Sequence, residues 1–186
     1  MPPRIRNAAA TRETMLAAAR HRFLAESYEN VGLRDVAGDA GVDVALVGRY
    51  FGSKEALFRE VLRKAPGEWL GPEIDAAALP AWLAALATRE HEPGERAHVE
   101  RLLIILRSAS SPCPAEIVRQ SFREDVLEPI ARLLAGPEAE MRASLALGLL
   151  MGTTILRTII GADPLRNCEL DAVRAKLTRL FEAALA

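Results

Sequence analysis

Residues 33–58 read Leu-Arg-Asp-Val-Ala-Gly-Asp-Ala-Gly-Val-Asp-Val-Ala-Leu-Val-Gly-Arg-Tyr-Phe-Gly-Ser-Lys-Glu-Ala-Leu-Phe. Within this stretch Leu33, Val36, Ala37 and Ala40 recur at helical spacing, so the periodicity predicts a short helix over 33–40. Gly41 supplies the left-handed residue that closes a helix without steric cost. After a single residue, Val42, Asp43 is placed to cap a second short helix over 44–51, in which Val47 and Phe51 lie one turn apart on an inward face. Gly52 breaks that run, and Ser53 starts a further helix from Lys54 to about Ala65 that buries Leu57, Phe58, Val61 and Leu62. Two short helices joined through such a tight turn are the plan of a helix-turn-helix. The first helix of the chain, with Leu16, Ala19 and Phe23 at helical spacing and Thr11 as its cap, is expected to run from about Thr11 to Tyr28 in front of it.

Beyond Pro66-Gly67, taken as the domain boundary, five more helices are expected: roughly 74–88, 95–108, 114–135, 137–160 and 169–185. The fold class is therefore all-α, with about nine helices. Residues 1–64 form a helix-turn-helix domain with its linking helix, and 65–186 a C-terminal helical domain. A chain of 186 residues, half of them apolar and about a quarter charged, is long enough to bury such cores unaided.

The net charge of −1 hides an asymmetry. Residues 1–64 carry 11 Lys+Arg against 8 Asp+Glu, a balance of +3, and the remainder 13 against 17, a balance of −4. Arg4, Arg6, Arg12, Arg20 and Arg22 face a single acid, Glu13, in the first 22 residues, so the front of the chain is where a polyanion would dock. Arg4 and Arg6 fit two readings equally, a solvated tail or a minor-groove arm. On the 44–51 helix, Val44, Ala45, Leu46, Gly48, Arg49 and Tyr50 are left wholly or partly available to the major groove.

The run Leu33-Arg34-Asp35-Val36-Ala37, Ala40-Gly41-Val42-Asp43 and Leu46 to Phe58, above all RYFGSKEALF, resembles the tetracycline-repressor-like (TetR) regulators, strongly over about residues 11–64. The resemblance implies a homodimer that binds an inverted-repeat operator in double-stranded DNA and releases it when a small-molecule effector enters the C-terminal domain. It implies that Arg34, Val44, Ala45, Arg49 and Tyr50 approach DNA, with Lys54 on a phosphate. The chemistry agrees: arginine forks onto guanine or clamps phosphate, the Tyr50 hydroxyl can donate to phosphate, and Val44 or Ala45 can pack on a thymine methyl. Two departures stand out. Gly48 occupies a position where the family usually has an aromatic residue, and Gly32 one where it has a Ser or Thr cap. Arg34 and Arg49 are accordingly expected to carry a larger share of binding.

In the C-terminal part, the 137–160 helix is apolar around much of its circumference and must be covered on more than one face. Leu145, Gly148, Gly152 and Ile155, with Leu177, Leu180 and Phe181 of the last helix, are expected to form a four-helix bundle with a second copy. Candidate lining residues of a ligand cavity are Trp69, Trp82, Leu103, Arg107 and Phe122, for each of which plain core packing is the competing reading. Thr154 and Arg157, polar on an apolar helix, are expected to satisfy each other or a neighbour.

Other function classes find little support. No phosphate-binding loop, nucleophile elbow, zinc-protease or dinucleotide fingerprint is present, so an enzyme is not expected, nor a cofactor. His91, Glu92, Glu95 and His98 flank Pro93-Gly94 in what reads as a surface turn rather than a metal site. Cys113 and Cys168 imply neither a disulfide framework nor zinc and suit a reducing cytoplasm. The N-terminus lacks a secretory apolar core, and the apolar stretch 145–160 is interrupted by Thr153, Thr154 and Arg157, so it reads as a buried helix rather than a membrane span. The remaining alternative is a helical scaffold for another protein, against which the basic front and the recognition-helix pattern argue.

Overall fold

A computed structural model describes residues 4–63, 70, 74–88, 97–108 and 114–186, and among these every regular element is helical. The chain divides into two compact units, Met1–Arg63 with Ala97–Ser121, and Lys64–Arg96 with Phe122–Ala186. The stretch 97–121, which the sequence reading places in the C-terminal part, thus clusters with the helix-turn-helix.

The first unit begins with α1 (Arg4–Ala25). This helix starts seven residues before the expected cap at Thr11, which lies inside it, because Ala8, Ala9 and Ala10 are strong helix formers that outweigh the capping signal. A 3₁₀ turn (Tyr28–Asn30) leads to α2 (Leu33–Ala40), α3 (Val44–Phe51) and α4 (Lys54–Leu62). α6 (Ala97–Ser108) and the first part of α7 (Pro114–Phe122) complete the unit. Its core is built from Met15, Leu16, Ala19 and Phe23 of α1, Val36, Ala37, Val47 and Phe51 of α2 and α3, and Leu57, Phe58, Val61 and Leu62 of α4, joined by Ile104, Ile117 and Val118. Three rings from three elements meet inside it: Phe58 lies edge-on to Phe23 at 4.8 Å and to Tyr28 at 5.0 Å between centroids.

The second unit contains α5 (Leu79–Thr88), α8 (Glu128–Ala131), α9 (Ala139–Thr154), α10 (Asp163–Arg166) and α11 (Leu170–Leu185). α5 and α9 both pack against α11, around Leu79, Leu83, Ala146, Leu147, Leu177 and Phe181. α5 starts five residues later than the expected 74, since the Asp75 carboxylate accepts a hydrogen bond from the Ala78 backbone N–H at 2.8 Å and holds 75–78 as a turn. The helix expected over 114–135 passes from α7 through a π-helical turn (Arg123–Leu127) into α8 and ends at Ala131. Pro129 explains the turn: it has no N–H to give and its ring would strike the carbonyl four residues back, so the preceding turn widens. A second π-helical turn, Ile155–Ile160, follows α9 and is closed by Gly161 at φ 72°. Arg142 fastens the unit by donating to the carbonyl oxygens of Ala135 at 2.5 Å, Leu185 at 2.8 Å and Ala186 at 3.3 Å, a cation on the carbonyl end of α11.

The segment Ala139–Thr158 is long and apolar enough to cross a membrane by length and composition alone. Only 28% of it is buried within the protein, so the expectation of a buried helix holds for one face and not for the other. Met141, Leu145 and Leu156 are exposed on it.

Candidate nucleic-acid interface

The turn between α2 and α3 is built as its residues require. Gly41 sits at φ 66°, ψ 33°, and the Val42 N–H donates to the Ala37 carbonyl at 3.0 Å, tying off the end of α2 while Val42 packs on the core. Asp43 then accepts from the Ala45 N–H at 2.8 Å, and Ser53 does the same for Ala56 at the start of α4 at 3.1 Å. A Cβ at position 41 would meet no neighbour within 4 Å, so a substitution there reports backbone strain alone. Gly41→Ala is expected to cost about 1–2 kcal/mol of stability, the penalty of a left-handed conformation for an L-residue, measured by chemical denaturation.

With Val47 and Phe51 turned into the core, α3 presents Val44, Ala45 and Arg49 to solvent, and Arg34 is exposed on α2. Neither Arg34 nor Arg49 has an acidic partner among the described residues, so both guanidiniums keep their donors for something outside the protein. Tyr50 and Lys54 are already engaged. The Tyr50 hydroxyl donates to the Ala8 carbonyl of α1 at 3.4 Å. The Lys54 ammonium lies 4.3 Å from the Tyr28 ring centroid and donates to the Glu29 carbonyl at 3.3 Å. Lys54 thereby fastens the start of α4 to the turn after α1.

The basic residues at the front of the chain divide in the same way. Arg12 pairs with Glu60 at 2.6 Å and stands over the Phe51 ring. Arg22 forks onto Asp39 at 2.5 and 2.7 Å and also reaches Glu26 at 3.2 Å, which locks α1 to α2. These two arginines set the orientation of helices rather than presenting free charge. The pairing across 17 and 48 positions is invisible to local patterns. The side chains of Arg4 and Arg6 lie outside the described residues.

The Arg22 fork holds the Asp39 carboxyl below the usual carboxylate range, and the Arg12 guanidinium does the same to Glu60. Glu55 is lowered as well, first by its own backbone N–H and then by the Ser53 hydroxyl at the start of α4. A carboxyl whose folded-state pKa is depressed contributes stability that is fully present above its unfolded value, near pH 4, and is lost as pH falls through the folded value. The unfolding midpoint is therefore expected to drop on acidification below about pH 4. Asp39→Asn should flatten that drop in thermal melts across a pH series.

Gly32 fits its position for a local reason. Its N–H donates to the Asp35 carboxylate at 3.0 Å, and a Cβ there would approach the same oxygen to 2.7 Å. The half of the cap that a Ser or Thr would supply is thus absent, while the reciprocal half is present.

Of the ligand-cavity candidates, Trp69 lies outside the described residues. Trp82 and Phe122 pack against the core of the second unit, and Leu103 is half-buried in the first. Arg107, also in the first, is exposed and donates to the Ala25 carbonyl at 2.6 Å, so it caps the end of α1. Of the expected contact residues on the last helix, Leu180 is 52% exposed, whereas Leu177 at 6% and Phe181 at 0% belong to the unit's own core. The tempting pair His91 and His98 cannot be placed: His91, Glu92 and Glu95 lie outside the described residues, as does the His98 side chain. Among the described residues no group of three His, Cys, Asp or Glu is close enough to hold a metal.

An all-helical chain whose first unit carries a capped helix-turn-helix, with an exposed reading face and two unpaired arginines, is a DNA-binding transcriptional regulator. Comparison with known proteins gives the family. The family model described as bacterial regulatory proteins, tetR family, matches residues 15–61, and the one described as tetracyclin repressor-like, C-terminal domain, matches residues 83–185. The second alone covers more than half of the chain, and the protein belongs to the TetR family. Among solved structures it is similar to a TetR-family regulator from Streptomyces coelicolor, with 26% identity, 99% of each chain covered and a TM-score of 0.53. It is similar in fold to NalD, the secondary repressor of the MexAB-OprM multidrug efflux pump in Pseudomonas aeruginosa, at 20% identity over 92% of this chain and 96% of that one, with a TM-score of 0.65. No curated protein matches it.

Proposed function

We propose that the protein is a repressor that binds an inverted-repeat operator as a homodimer and is released by a small molecule bound in its C-terminal part. The observation that carries the DNA reading is the pair of exposed, unpaired guanidiniums, Arg34 and Arg49, beside the apolar Val44 and Ala45 on a helix whose other face is fixed in a core. Phosphate clamping and base-edge reading need those two chemistries side by side. The test is binding to duplex DNA over a salt series. A specific complex that weakens steeply with salt supports the reading, and a flat slope removes it.

The dimer is supported by the second unit's exposed apolar face. Met141, Leu145 and Leu156 of the α9 segment, Ile160 just beyond and Leu180 of α11 are 43–66% exposed, a concentration of large apolar side chains that monomers rarely leave in water. Gly148 and Gly152 lie between them on α9, where a second helix could approach closely. Leu145→Glu is expected to shift the mass in light scattering from dimer to monomer while leaving helicity unchanged. A variant that stays dimeric would place the interface elsewhere. A dimer of this kind sets two reading helices about one DNA turn apart, and ligand release then follows from a shift between dimer spacings.

A further inference from the structure

We propose that Arg157 is the receptor for an acidic small molecule, a carboxylate on an apolar body, bound in the second unit. The inference rests on the ligand-controlled reading above and names the chemical class of that ligand. Ala143, Ala146, Leu147, Leu150 and Thr153 form the buried stripe of α9, and Arg157 is the next residue at the same three-to-four spacing. It therefore continues the inward face rather than the exposed one. Its Nη1 has no access to solvent and no hydrogen-bond partner, and its guanidinium makes no ion pair among the described residues. The expected partner, Thr154, does not bond to it.

A buried N–H left without an acceptor bears the full cost of desolvation, and one on a permanently charged group bears more. Unlike Arg142, whose other guanidinium nitrogens are bonded to carbonyl oxygens, Arg157 makes no hydrogen bond among the described residues, so it asks for an external acceptor. Its position adds a second observation. Arg157 lies inside the π-helical turn Ile155–Ile160, a local widening of the helix that recurs at functional sites. A guanidinium fork matches a carboxylate in a two-point hydrogen bond. The stripe it continues, Ala143, Ala146, Leu147 and Leu150, is hydrocarbon, which suits an apolar body rather than an inorganic polyanion needing several cations.

The test uses the full chain and four probes at millimolar concentration: benzoate and phenylacetate, each against its neutral amide. The carboxylates are expected to raise the melting temperature of the wild type while the amides do not. Arg157→Met should lose that response, with affinity reduced roughly 10-fold or more. Without any probe, Arg157→Met should melt at or above the wild type, since an unsatisfied donor has been removed. The proposal is overturned if acid and amide act alike, if the Met variant responds as the wild type does, or if that variant melts lower in the absence of probe, which would reveal an internal partner. It is equally overturned if the substitution changes the mass in light scattering, which would make Arg157 a contact between copies. Operator binding without probe is measured in parallel. Its survival in Arg157→Met separates failure of this inference from failure of the DNA reading. Carboxylate binding that leaves operator affinity unchanged would support the site and sink ligand control.

Discussion

Replacing Phe58 with alanine is expected to cost about 3–5 kcal/mol of stability, the range for removing a buried aromatic ring. Phe58 is wholly buried, and its ring stands edge-on to Phe23 and Tyr28, which come from α1 and the turn after it. The loss therefore combines transfer of the ring to water, a cavity among three elements and two edge-to-face contacts. The Lys54 ammonium also lies over the Tyr28 ring, so the start of α4 loosens with the ring cluster. Chemical denaturation of wild type and variant measures the loss, and Phe58→Leu, which keeps most of the volume, should fall well short of it. A Phe58→Ala variant within about 1 kcal/mol of wild type would mean that the aromatic cluster does not hold this unit together.

Removing the two free guanidiniums acts on binding instead. Arg49→Ala and Arg34→Ala are each expected to weaken specific DNA binding by about 1–3 kcal/mol while leaving stability almost unchanged, because neither side chain is paired among the described residues. Their signatures should differ. Arg49 lies on α3, whose exposed face is the one proposed to enter the major groove, and its loss should relax preference at one operator position. Arg34, on α2, should weaken all sequences alike and lower the salt slope by about one. Arg22→Ala is the contrasting control: it breaks the fork on Asp39 and should lower stability as well as binding.

The helix-turn-helix was legible residue by residue because its boundaries are set by local chemistry. Gly41, Asp43, Gly52 and Ser53 punctuate the chain where α2, α3 and α4 begin and end. Elsewhere the signals conflict or act at a distance. Thr11 resembles a cap but lies within a run of helix formers, and Pro129 sits inside a helical period that it distorts into a π turn. Leu177, Leu180 and Phe181 share a helix and a hydrophobic character, yet periodicity does not say which side meets α5 and α9 and which is left exposed. The pattern at the front of the chain showed basic charge without showing that Arg12 and Arg22 are bound to Glu60 and Asp39, partners fixed only by the packing of α1 on α4 and α2.

Whether this helix-turn-helix reads DNA is tested most directly by selection of bound sequences from random duplex DNA by the purified protein. The proposed dimeric reader predicts enrichment of an inverted repeat with half-site centres about one helical turn apart, recovered poorly by Arg49→Ala. Recovery of no preferred sequence, or of a single half-site bound equally well by Arg49→Ala, would contradict it.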